Sequence, residues 1–109
     1  MSATFAALAD PTRRAILARL ANGDATVNAL AQPFDMSLQA ISRHLKVLQS
    51  AGLITRGRVA QFRPCRFEAT PLDNAISWIE QNRTTWSARS DQPEQDRREI
   101  QQAHSGTSP

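Results

Sequence analysis

The clearest pattern in the chain is the spacing of Leu38, Ile41, Leu45 and Leu48 at i, i+3, i+7 and i+10. It predicts an amphipathic helix over 37–51 with those four on its core face, opened by Ser37 as N-cap and stopped by Gly52. Ile16, Leu17 and Leu20 mark an earlier helix over 11–21. Its start is Asp10-Pro11, where the carboxylate accepts from an orphan N–H and the proline loses nothing by lacking one. Asn22-Gly23 is expected to supply a left-handed cap at its end, and Arg13, Arg14 and Arg19 fall on its solvent side. Before it, Phe5 and Leu8 lie i, i+3 in the alanine-rich stretch 4–9 and predict a short first helix. Thr26 caps another short helix holding Val27, Leu30 and Ala31, which Pro33 prevents from continuing. The short helix, a tight turn and the 37–51 helix make a helix-turn-helix unit.

After Gly52 the period shortens. Leu53-Ile54-Thr55 and the segment 61–67 read as two strands around a connection at 57–60, a two-stranded wing. Pro64 cannot donate to a ladder, so its strand is expected at an edge or with that side toward solvent. Thr70-Pro71 opens a last helix on which Leu72, Ala75, Ile76, Ile79 and Trp86 recur near the helical period and Trp78 widens the apolar face. It is expected to reach Ala88 or Arg89, covering the core and meeting a second copy of itself. From Ser90 on, Ile100 is almost alone among polar residues, so 1–89 reads as one domain and 90–109 as a disordered polar tail.

Composition narrows the class. A chain of 109 residues supports one modest core, no apolar run approaches the roughly 18–20 residues of a bilayer span, and the first residues lack a signal-peptide pattern. Cys65 is the only cysteine, which excludes an intrachain disulfide and fits the cytoplasm. The net charge of +3 says little, but its distribution says more: residues 37–67 hold six basic and no acidic residues, while the rest has seven against ten. A basic surface on an otherwise acidic chain suits docking on phosphates.

With Leu38, Ile41, Leu45 and Leu48 turned inward, Gln39, Ser42, Arg43 and Lys46 fall on the opposite side, with the small Ala40 beside them. Gln matches an adenine edge, Arg a guanine edge, and Ser a base or phosphate. Lys46 suits phosphate, and Ser37 combines capping with an anion at a helix N-terminus. Arg56, Arg58 and Arg63 of the wing are candidates for backbone or minor-groove contact. Arg66 lies deeper in its strand and flanks the core. His44 has two readings, a phosphate contact or a structural hydrogen bond. Cys65 alternates with Phe67 and reads as a small inward residue, with a redox role left open by the neighbouring Arg63 and Arg66. Paired carboxylates, a Cys–His arrangement and a phosphate-cradling glycine loop are all missing, so an enzyme is not expected.

The segments FAALADPTRRAIL and LAQPFDMSLQAISRHLKVLQSAGLI, the basic wing and the Trp-bearing last helix resemble the ArsR/SmtB winged-helix repressors over about residues 5–89. FDMS and RPCRFEATPL are similar to the metal-free branch, whose members act as local autorepressors. The resemblance implies a mainly α winged helix-turn-helix of order α1-α2-α3-α4-β-β-α5. It also implies a homodimer formed by the first and last helices, here Phe5, Leu8, Leu72, Ala75, Ile76, Ile79 and Trp86, on a double-stranded operator with inverted half-sites. By position it puts Ser37, Gln39, Ala40, Ser42, Arg43 and Lys46 on the recognition helix and Arg56, Arg58 and Arg63 on the wing. Leu38 departs from a common polar Gln. The third and last helices read Val27-Asn28-Ala29-Leu30-Ala31 and Leu72-Asp73-Asn74-Ala75-Ile76, without the metal sensors' ligand sets, so no metal and no cofactor are expected.

A sequence-specific repressor is the first reading, and a protein-interaction module on the same scaffold is the alternative. The releasing signal stays open between a hydrophobic ligand at the last helices, oxidation of Cys65, and no ligand at all.

Overall fold

A computed structural model of the chain describes residues 1–57 and 63–91. Arg58, Gln61 and Phe62 of the expected wing, and the expected tail beyond Asp91, lie outside the described residues. The elements run α1 (Ser2–Leu8), α2 (Pro11–Leu20), α3 (Val27–Ala31), α4 (Leu38–Ser50), β1 (Ile54–Arg56), β2 (Cys65–Phe67) and α5 (Thr70–Asp91).

Three of the helices open on the side-chain caps expected of them. Asp10 accepts from the Arg13 amide, Thr26 from Ala29 and Ser37 from Ala40, each satisfying one of the donors that a helix start leaves orphaned. α4 closes in a Schellman arrangement, with Leu53 N–H donating to Leu48 O and Gly52 N–H to Gln49 O, both at 3.0 Å. Gly52 sits at φ +75, which a side chain would resist. α2 ends differently from expectation. Its capping residue Ala21 stays right-handed, and the positive φ falls on Gly23 alone, whose N–H reaches Leu20 O.

α1 has no side-chain cap at its start, and its last carbonyls are met by guanidinium groups from α2. Arg13 donates to Ala7 O at 2.8 Å and Ala6 O at 3.1 Å, and Arg14 to Leu8 O at 2.8 Å. Such charge-assisted bonds at a helix C-terminus favour both partners. Arg13 is therefore half-buried and spent on structure, contrary to the expectation that it reaches solvent.

Residues Met1–Ala75 form one compact unit. Its core joins Ala7, Ile16, Leu17, Leu20, Leu30, Ile41, Leu45, Leu48, Leu53, Ile54 and Cys65, with Leu8, Phe34 and Leu72 packed against it. Leu38 does not join them and is 51 % exposed. It occupies the first helical position of α4, a turn before the core begins at Ile41.

β1 and β2 pair antiparallel with Ile54 opposite Phe67 and Arg56 opposite Cys65. β1 starts one residue later than expected, because Leu53 N–H is used in closing α4. Cys65 also exchanges both backbone bonds with Ala25, at 2.8 and 3.2 Å. The strand after Pro64 is thus flanked on both sides at Cys65 rather than standing at an edge. Pro64 is tolerated because it lies just outside β2, where its carbonyl accepts from Gly57 N–H at 2.8 Å and the return bond is absent.

α5 extends two residues past its expected end. Its first turns, with buried Ala75, belong to the unit above, and from Ile76 on it belongs to a second one. Within that second unit Asn82 donates to Trp78 O, Arg83 pairs with Glu80 at 3.5 Å, and Trp78 and Trp86 meet edge to face with centroids 6.1 Å apart. Among the described residues no helix is long and apolar enough to cross a membrane.

Candidate nucleic-acid interface

α4 is held from its buried side, and this decides what it presents outward. Ile41, Leu45 and Leu48 are at most 1 % exposed. Gln39, Ser42, Arg43 and Lys46, offset from them by the helical period, are all exposed, and Ala40 is half-buried. Ser37 is exposed while its hydroxyl caps Ala40. The helix carries no acidic residue. Its outward face thus combines two amide or hydroxyl groups able to pair with base edges, one guanidinium and one ammonium. Leu38, counted by periodicity with the core, is exposed at the N-terminal end of the helix. The signal available was its place directly after the N-cap.

His44 points elsewhere. Its Nδ1 accepts from Arg13 Nη1 at 3.2 Å and lies 3.8 Å from Asp10 Oδ2, so of its two readings the structural one holds. The Asp10 carboxyl is held below its ordinary value, first by the hydrogen bond from the Arg13 amide and further by the Arg13 charge, against a partial desolvation that acts the other way. The recognition helix is thereby tied at its middle to the start of α2.

In the hairpin, Arg56 is half-buried and its Nε donates to Arg63 O at 3.4 Å, while Arg63 is exposed. Arg63 has φ +28, a left-handed conformation uncommon for a residue with a side chain. Gly57 allows the close approach of Pro64, whose ring atoms would lie a tight 3.1 Å from an added Cβ. Arg66, expected to flank the core, is exposed instead and forms an ion pair with Asp24 at 3.4 Å.

Cys65 is 0 % exposed, and burial pushes its thiol up from the ordinary value, outweighing Arg56 and Arg63. A reactive cysteine needs the reverse, an exposed and stabilised thiolate, so the geometry supports the core reading over the redox one. Among the described residues no group of three His, Cys, Asp or Glu side chains could hold a metal ion.

The residues expected at a dimer contact divide. Leu8 and Leu72 pack against the chain's own core and Ala75 is buried, so they are engaged by the chain itself. Phe5, Ile76, Ile79 and Trp86 are exposed, and Trp78 joins them.

A family described as a helix-turn-helix domain matches residues 8–57. The transcriptional repressor SdpR of Bacillus subtilis is 39 % identical over 79 residues, which cover 72 % of this chain and 88 % of that protein. A crystal structure of an ArsR family transcriptional regulator superimposes with a TM-score of 0.74 at 40 % identity, covering 79 % of this chain and 94 % of that one. A solution structure described as the homodimeric winged helix-turn-helix DNA-binding domain of a Mycobacterium bovis protein has a TM-score of 0.61 at 25 % identity, covering 81 % and 82 %. The matched region contains α2, α3, α4 and β1, and with them the outward face of the recognition helix. By this likeness over most of its length, and by the helix-turn-helix and hairpin built above, the chain belongs to the ArsR family of winged helix-turn-helix transcriptional regulators.

Proposed function

We propose that this regulator acts as a homodimeric repressor, without chemistry of its own, by occupying an inverted-repeat operator in the cytoplasm, its own promoter included. The observation that carries the reading is the acid-free outward face of α4, where Gln39, Ser42, Arg43 and Lys46 are exposed opposite a sealed core face. Gln39, Ser42 and Arg43 read base edges in the major groove while Ala40 allows close approach. Leu38, exposed at the leading end, adds an apolar surface suited to a thymine methyl group. Ser37 and Lys46 hold phosphates, and Arg56, Arg58 and Arg63 do the same from the wing. Dimerisation through the first and last helices, with Phe5, Ile76, Ile79 and Trp86 at the contact, covers the exposed apolar stripe of Ile76, Ile79 and Trp86, in keeping with the homodimeric relative.

Footprinting on the upstream DNA of its own gene tests target and autorepression together. Arg43→Ala is expected to relax preference at one base pair of each half-site, worth about 1–3 kcal/mol of discrimination. Lys46→Ala is expected to weaken all sequences alike and lower the salt slope by about one. If neither substitution changed binding, the assignment of this face would be wrong.

A further inference from the structure

Residues of α2, α3 and the turn at 32–34 line a cleft of about 590 Å³. That is within the roughly 300–1,000 Å³ typical of small-molecule sites. It is lined by the apolar Ala15, Ala29, Leu30, Pro33 and Phe34, with the polar side chains of Gln32 and Arg19 beside them. Leu30 is buried, so the cleft reaches the hydrophobic core. Among the described residues Arg19 is the only charged one in the lining. One of its N–H groups donates to Gly23 O at 3.1 Å, and among the described residues no carboxylate pairs with it. Most of its five donors remain available. An apolar cleft with a single unneutralised guanidinium selects molecules with an apolar body and one anionic end.

We propose that this cleft is an effector site for a small amphiphilic carboxylate, with the chain along Ala15, Ala29, Leu30 and Phe34 and the carboxylate on Arg19. Its position couples it to DNA. Leu30 lies on the first helix of the helix-turn-helix and Phe34 in the turn that leads to the Ser37 cap of α4. A ligand that favours one separation of α2 and α3 therefore biases the placement of the recognition helix, and by linkage DNA biases ligand affinity equally. This coupling rests on the DNA-binding reading above, whereas the site itself does not.

The test is an amide NMR titration of the full chain with hexanoate and octanoate, against hexanol and octanol. Expected are saturable shifts clustered at 15–34 and about tenfold tighter binding of each acid than of its alcohol. Arg19→Gln should abolish that preference, and Ala29→Leu, which fills the cleft, should weaken acid and alcohol together. Absence of saturable shifts, equal binding of acid and alcohol, or shifts centred on Trp78 and Trp86 would each overturn the site. A second arm measures operator affinity with and without octanoate. A change within the usual 5- to 150-fold range of allosteric coupling, lost in Arg19→Gln, supports the coupling. Unchanged operator affinity with octanoate bound overturns the coupling alone. Failure to bind any DNA overturns the proposed function and leaves the NMR arm to decide the site.

Discussion

In α4 Ile41, Leu45 and Leu48 are closed off by the chain itself, at 0 or 1 % exposure, whereas in α5 Ile76, Ile79 and Trp86 follow a similar spacing and keep 38–54 %. Periodicity in a sequence shows that a helix has a face to bury. It does not show what buries it. Where the same chain provides the cover, the apolar stripe becomes folding stability and frees the opposite face for polar work. Where it does not, the stripe becomes a capacity for association.

The largest effect that separates the two cases is expected for Leu45→Ala. Emptying a fully buried leucine site costs about 2–5 kcal/mol, a large part of a small domain's stability, and urea unfolding would register it at any protein concentration. Trp86→Ala should act differently, weakening dimerisation about tenfold or more, as a truncated aromatic anchor does. Sedimentation equilibrium would measure that change. If Trp86→Ala destabilised the dilute monomer as much as Leu45→Ala does, α5 would be core in the same sense as α4 and the contrast would fail.

Smaller effects sharpen the picture of how α4 is held. Ser37→Ala removes the cap from Ala40 and should cost about 1 kcal/mol of unfolding free energy, with a further loss of operator affinity if the hydroxyl also meets phosphate. The smallest effect concerns acid. Because the folded Asp10 carboxyl lies below its ordinary 3.8, its contribution is fully present above that pH and lost as pH falls through the lowered folded value. Asp10→Asn keeps a capping side chain but cannot titrate. Urea midpoints of the two proteins should therefore converge as the pH is lowered through this range, the wild type losing more.

The parts of the fold that were legible are those decided within a few residues. Asp10, Thr26 and Ser37 announce helix starts because a cap is a contact at i+3, and Gly52 announces a stop because only its own φ is at issue. Leu38 was misplaced because periodicity counts it with Ile41 and Leu45 although the core begins one turn later. The pair of backbone hydrogen bonds between Cys65 and Ala25 and the grip of Arg13 on α1 and His44 join positions far apart in sequence, where no local pattern speaks. In the interface, the helix face followed from spacing alone. Arg56 and Arg63 depend on how Gly57 and Pro64 meet, which is a property of the closed hairpin.

The grip of Arg13 makes α1 a lever. One guanidinium holds the carbonyls of Ala6 and Ala7 at the end of α1 and the imidazole of His44 in the middle of α4. In the proposed dimer, joined partly through α1, the two recognition helices would inherit their separation from the way the two first helices meet. Such a dimer would work as a calliper, its jaws set at the seam and its reading taken on the operator as the distance between half-sites.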